Sequence, residues 1–194
     1  MKQNRVIGIT GGSGSGKSTV SRIFEEFGAF IIDADKISHQ LTDSDEVVLA
    51  RIKEAFTEKV FENGVLSRKA LAEIVFSDKN ALKTLNGIVH PAVAEKTLEM
   101  IEKCGKELVI IDAPLLFDVK EIAGLCDETI AVCAPDEMRI NRIMDRDGIS
   151  YEMAQKRINS QRPQEELARL ADRVIVNDGD PEKLRSDVIG YLGK

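Results

Sequence analysis

The chain is expected to fold as an α/β protein: a parallel sheet of five strands with helices on both faces. Three observations lead there. Short apolar, β-branched runs recur along the chain, helical patterns of ten or more residues separate them, and the first run enters a glycine-rich turn, "GITGGSGSGKSTV" at 8–20, that opens a helix.

The runs "RVIGIT" (5–10), "AFIID" (29–33), "ELVIID" (107–112), "ETIAVC" (128–133) and "RVIV" (173–176) supply the strands. "KSTVSRIFEEFG" reads as the first helix, with Gly28 as the residue just past its end. Residues 36–105 hold no convincing strand. "SDEVVLARIKEAF", "SRKALAEIVF", "DKNALKTLNGIV" and "PAVAEKTLEMIEKCG" are amphipathic, so the interval reads as a helical insertion, interrupted at Asn63-Gly64. The last helix, in "DPEKLRSDVIGYL", takes Asp180 as N-cap and Pro181 as its first residue.

With 194 residues, 43% of them hydrophobic, the chain can build one sizeable core. A net charge of -6 argues against a broad basic surface, so no nucleic-acid partner is expected and any phosphate binding must be local. No stretch approaches the roughly 20 apolar residues of a membrane span, and the first apolar run is too short for a signal peptide. A cytoplasmic protein without membrane contact or an obligatory protein partner is expected. Cys104, Cys126 and Cys133 form neither a C-x-x-C pair nor a Cys/His cluster, and are read as buried free thiols.

Gly11-x4-Gly16-Lys17-Ser18 is a complete G-x-x-x-x-G-K-[ST] between a strand and a helix, which makes the expected fold that of the P-loop NTPases. Glycines let the chain turn tightly so that amides face anionic oxygens, and the helix N-terminus adds partial positive charge. Gly11, Gly12, Ser13, Gly14, Ser15, Gly16, Lys17, Ser18 and Thr19 are thus the expected ATP-binding residues. Lys17 should reach the β and γ phosphates, and the Ser18 hydroxyl should ligate Mg²⁺. A flexible Gly/Ser linker is the bland alternative. Among nucleotide chemistries, no N-K-x-D segment suggests a GTPase, and the chain is small for a transport or remodelling ATPase. Phosphoryl transfer to a small molecule fits better.

An alcohol acceptor needs a carboxylate to orient the hydroxyl and take its proton. "IIDAD" puts Asp33 at the end of the second strand, where open α/β sheets bind ligands. Two residues apart in an extended segment, Asp33 and Asp35 would point the same way and frame one site. Asp33 is the expected base; the alternative is that Asp33 merely ends the strand and Asp35 caps the helix "KISHQL". Asp112, ending its own strand, could hold a Mg²⁺-bound water.

Between Arg139 and Arg162 the local charge reverses to basic. In "PDEMRINRIMDRDG", Arg139, Arg142 and Arg146 share one helix face, with Ile140, Ile143 and Met144 opposite. Such a row can neutralise a transferring phosphoryl group, or be a solvated face paired with Asp136 and Asp145. Residues 146–163, hinged near "DRDGIS" and "QRP", read as a lid.

Taken together, "GITGGSGSGKSTV" (8–20), "DAD" (33–35), "HP" (90–91), "DAPLLFD" (112–118), "RINRIMDRDG" (139–148), "AQKRINSQ" (154–161) and "ADRVIVNDGD" (171–180) give the chain a nearly end-to-end resemblance to the dephospho-CoA kinases. That resemblance implies ATP-dependent phosphorylation of the ribose 3′-hydroxyl of dephospho-CoA, with Mg²⁺. It implies a kinase core at about 1–35, 106–145 and 166–194, an acceptor-binding helical insertion at about 36–105 and a lid at about 146–165. Asp33 matches the base, with Lys17, Arg142 and Arg146 as the other catalytic residues and Asn177 near the adenine. Asp35, His90, Arg157 and Gln161 fall to substrate binding. The chain departs from the family pattern at Ala94, where an arginine is common, and at Asp118, where glutamate is usual. The rival readings are another nucleoside or nucleotide kinase and a non-catalytic ATP-binding module.

Overall fold

In the computed structural model, which describes residues 4–192, β1 (Arg5–Thr10) is the middle strand of a five-stranded sheet. The strand order is β2-β5-β1-β6-β7, with β2 at Phe30–Asp33, β5 at Leu108–Asp112, β6 at Glu128–Cys133 and β7 at Arg173–Val176. Ile7 of β1 pairs with Ile110 of β5 and with Glu128 of β6, and Ile130 of β6 pairs with Arg173 of β7, all in parallel. All five strands start and end within one residue of the expected runs.

The helices are α1 (Lys17–Glu26), α2 (Ala34–Ser44), α3 (Glu46–Phe56), α4 (Arg68–Ser77), α5 (Lys79–Lys103), α6 (Lys120–Ala123), α7 (Asp136–Asp147), α8 (Tyr151–Asn159), α9 (Gln164–Leu170) and α10 (Pro181–Leu192). Gly28 stands just past α1 with φ 90°, the left-handed conformation that favours glycine. Asp180 caps α10 through the amides of Glu182 and Lys183, and Pro181 is its first residue, as expected.

The chain divides into two compact units: one from the residues up to Ile32 together with those from Cys104 onward, the other Asp33–Lys103. Residues 146–165, the expected lid, fall inside the first unit. The outermost residues of the expected core, 1–3 and 193–194, lie outside the described residues.

In the first unit, strands buried on both faces need an apolar residue at almost every position. Ile7, Ile9, Ile110, Ile130, Val132 and Ile175 therefore pack with Val20, Phe24, Leu184 and Val188 from α1 and α10. Each such side chain contributes about 1.5–3 kcal/mol on burial. One position is too crowded for any side chain: a Cβ on Gly8 would lie 2.7 Å from the Cys126 sulfur.

The three cysteines form no disulfide among the described residues and are half-buried, not fully buried as the sequence reading has them. Burial, with Asp127 beside it, pushes the Cys126 thiol up to about 12. Iodoacetamide at pH 8 is therefore expected to label Cys126 only after denaturant is added, since the thiolate is the nucleophile. Rapid labelling of this residue in the folded protein, read by peptide mass, would contradict its placement against Gly8.

In the second unit, Val48, Ile52, Phe56, Val60, Leu71 and Val75 form a separate core. Three readings of this region need correction. Where no strand is expected, β3 (Phe61–Glu62) and β4 (Val65–Leu66) form a short antiparallel hairpin. Its turn residues Asn63 and Gly64 both have positive φ, 52° and 79°, as a tight two-residue hairpin turn requires. The segments expected as "DKNALKTLNGIV" and "PAVAEKTLEMIEKCG" are one helix, α5, with Pro91 inside it. A proline inside a helix has no amide for the carbonyl four residues earlier and crowds it; that residue here is Gly87, whose backbone is the least restricted.

The third correction concerns Asp33 and Asp35. They do not share an extended segment, because α2 begins at Ala34 immediately after β2. Asp33 is itself the N-cap, its Oδ1 accepting from the Lys36 amide at 2.9 Å, and Asp35 sits in the first turn. Residues two apart on a helix point in different directions, so the two carboxylates do not frame a common site through strand geometry.

Candidate active site

Strand β1 has β5 on one side and β6 on the other, the place where the chain's progress across the sheet reverses. Ligands of open α/β sheets bind at the carboxyl ends of the strands at such a point. The turn leaving β1 runs through Gly11–Gly16 into α1. Gly14 and Gly16 take φ of 78° and 88°, which alternates left-handed residues along the turn and forms a backbone nest for an anion.

At each loop glycine an added Cβ would meet a neighbour, backbone at Gly11 and Gly14 and a side chain at Gly12 and Gly16. A Cβ on Gly11 would lie 2.6 Å from the Val132 carbonyl, on Gly12 2.5 Å from Arg139, and on Gly14 2.5 Å from the Arg139 carbonyl. On Gly16 it would collide with Asn177 Nδ2. Helix α1 has no side-chain cap and no acidic residue in its first turn, so its dipole and its first amides are left for a ligand. The Ser15 hydroxyl is buried without a hydrogen-bond partner among the described residues. That costs about 1–3 kcal/mol and marks the loop as built for something besides its own stability.

Lys17 forms an ion pair with Asp112 at the end of β5, and the Ser21 hydroxyl donates to the other carboxylate oxygen at 2.9 Å. Asp112 is 8% exposed, so the cation offsets a charge that burial would otherwise penalise. Ser18, the next residue, is exposed.

No cluster of three or more metal-ligating side chains exists among the described residues. A Mg²⁺ held by one hydroxyl and one carboxylate, with phosphate and water completing its shell, needs none; Ser18 and Asp112 are of the right type.

The outer side of the loop is held by side chains from distant elements. Arg139, 3% exposed, donates from Nε to the Ser13 carbonyl at 3.1 Å and pairs with Asp136 at 2.9 Å. Arg142 donates to the Gly14 carbonyl at 3.1 Å and to Asn177 Oδ1 at 3.2 Å. Asn177, buried just past β7, donates from Nδ2 to the Ser15 carbonyl at 2.9 Å. Gln161 accepts from the Ser13 amide at 2.8 Å and donates to the Ser13 hydroxyl at 2.9 Å.

The opposite face of α7 is apolar as expected: Ile140 and Ile143 bury against Ala154 of α8, with Met144 and Ile158 alongside. Arg146 and Arg157 both pair with Asp147 instead of the loop, at the turn between α7 and α8. The hydrogen bond from Arg146, joined by Arg157, holds the Asp147 carboxyl down to about 2. Arg162 bridges Asp118 and Glu166, so the aspartate that departs from the family pattern has a defined partner.

An open cavity of about 510 Å³ adjoins the loop at Gly11 and Gly12, walled by Pro114 and Leu115 after β5 and by Gln161 and Leu167. Asp33, Asp35 and His90 belong to the second unit, His90 lying within α5 just before Pro91.

Of the residues expected from the sequence, the structure brings the loop, Lys17, Asp112, Arg142, Gln161 and Asn177 into one neighbourhood, and leaves Arg146 and Arg157 engaged with Asp147. The sequence reading passes over Ser21 as a partner of Asp112 and Arg139 as a partner of the loop. The one available signal for Arg139 is its place three residues before Arg142 on the same helix face.

The dephospho-CoA kinase family model matches residues 5–183 of the chain. A dephospho-CoA kinase from Carboxydothermus hydrogenoformans is 38% identical over 193 residues, 97% of this chain and 93% of that protein. One from Fusobacterium nucleatum is 42% identical over 180 residues, 92% of each. Among solved structures, a dephospho-CoA kinase from Campylobacter jejuni superposes with a TM-score of 0.70 at 31% identity, covering 98% of this chain and 96% of that one.

Proposed function

The chain belongs to the dephospho-CoA kinase family, and from that premise we propose how its residues divide the work of phosphorylating dephospho-CoA. The enzyme transfers the γ-phosphoryl group of ATP to the ribose 3′-hydroxyl of dephospho-CoA, giving coenzyme A and ADP. The carrying observation is the glycine nest at the uncapped N-terminus of α1, with Lys17 and Asp112 beside it.

In this reading residues 11–19 bind the triphosphate and Asn177 supports the adenine side. Lys17 meets the β and γ phosphates, with Arg142 behind the loop and Arg146 on the same helix supplying further positive charge. Asp33 orients the acceptor hydroxyl and accepts its proton. Asp35, His90, Arg157 and Gln161 contribute to holding the substrates. Ser18 and Asp112 would hold a Mg²⁺ ion accompanying ATP, which would neutralise phosphate charge. The helices of residues 36–105 bind the acceptor, 146–165 act as a lid, and the reaction takes place in the cytoplasm.

Purified enzyme given ATP, Mg²⁺ and dephospho-CoA is expected to form coenzyme A and ADP in equal amounts in a coupled assay. A panel of nucleosides and nucleotides in place of dephospho-CoA separates the rivals. Faster ADP release with one of them would move the assignment to another kinase, and no acceptor-stimulated release with any would favour a non-catalytic ATP module.

A further inference from the structure

We propose that Arg139, outside the residues assigned above to chemistry, is a positioning residue: with Arg142 and Asn177 it fixes the direction of the phosphate-binding amides by holding loop carbonyls from behind. The inference rests on the reading that residues 11–18 bind the triphosphate.

The described chain contains no cis peptide bond. In a trans peptide the carbonyl of one residue and the amide of the next point to opposite sides of the chain. Fixing three successive carbonyls outward therefore turns the following three amides inward. The carbonyls of Ser13, Gly14 and Ser15 are each bonded from outside, by Arg139, Arg142 and Asn177 respectively.

These bonds set the amides of Gly14, Ser15 and Gly16. The Ser15 amide closes the turn onto the Gly12 carbonyl at 3.1 Å, which leaves those of Gly14 and Gly16 to face an anion. A loop rich in glycine has many backbone directions open to it, so this orientation must be imposed by its surroundings.

Arg139 is the deepest of the three fasteners. Its guanidinium is buried, its charge is met by Asp136, and a Cβ on Gly12 or Gly14 would strike it or its backbone. A planar fork can satisfy Asp136 and the Ser13 carbonyl at once, whereas the single ammonium of lysine cannot match that geometry.

Arg139→Lys tests the proposal through Michaelis constants measured alongside melting temperature. The expected result is a KM for ATP raised about tenfold, the scale of one charge-assisted hydrogen bond, with the KM for dephospho-CoA within about twofold of the parent. An unchanged KM for ATP with only a lowered melting temperature would overturn it, because arginine would then serve stability alone. An equal rise in both constants, a general loosening, would overturn it too.

Should Arg139→Lys fail to fold, Arg139→Met, which keeps an unbranched side chain and removes the donors to the Ser13 carbonyl and to the exposed Asp136, carries the test with the same readouts. Lys17→Met separates this proposal from its premise. If Lys17→Met leaves kcat/KM for ATP unchanged, the loop reading fails; if it lowers that constant while Arg139→Lys leaves the KM for ATP unchanged, only the positioning role fails.

Discussion

Replacing Asp33 by asparagine is expected to slow phosphoryl transfer to dephospho-CoA by about 10²-fold or more while α2 stays folded. The substitution is informative because Asp33 has two possible uses and asparagine removes one of them. The carboxylate accepts the Lys36 amide at 2.9 Å as the helix N-cap. Asparagine caps as well as aspartate, since its carbonyl oxygen can accept the same bond, so helix stability is preserved. An amide cannot take the acceptor's proton. The KM for ATP should stay near the parent value and the loss should appear in kcat. Unchanged turnover in Asp33→Asn would reduce the residue to a cap. As a control, Asp33→Ala should add a stability loss of about 1 kcal/mol from the missing cap.

Lys17→Met should have the other large effect, a fall of about 10²–10³-fold in kcat/KM for ATP, the scale of removing a preorganised donor from developing negative charge. The free enzyme should also lose stability, for a reason unrelated to catalysis. Asp112 would keep Ser21 but lose its cation, leaving a buried carboxylate partly uncompensated at a cost of about 1–3 kcal/mol. For a chain of this size each kcal/mol moves Tm by about 2–4 °C. The double variant Lys17→Met/Asp112→Asn separates the two effects: it should recover most of the stability, by removing the stranded charge, and none of the activity. If Lys17→Met retains parental kcat/KM, or the double variant regains turnover, the lysine does not act on the phosphates.

Several elements follow from residues near one another in sequence. The β-branched runs become the five strands, Gly28 adopts the left-handed conformation after α1, and Asp180 with Pro181 starts α10. Local patterns misled where two outcomes have similar local cost. Pro91 reads as a helix start, yet α5 continues through it, with Val89, Val93, Thr97 and Ile101 buried along its length. Asp33 and Asp35 read as a pair on a strand, yet α2 begins at Ala34, two residues before "KISHQL", and that turns them apart.

The sequence by itself determined the glycine-rich loop with its lysine and hydroxyl, the strand-end carboxylates, the five strands of the main sheet and the family, because these are written in patterns a few residues long. Tertiary structure alone decided which of the arginines on α7 meet the loop and which turn to Asp147. Ser13 and Arg139 are 126 positions apart and Ser15 and Asn177 are 162 apart. Their meeting depends on β6 and β7 lying on one side of β1 and β5 and β2 on the other. Side-chain periodicity gives the face of a helix on which an arginine lies, but the neighbour of that face is fixed only when the sheet has assembled.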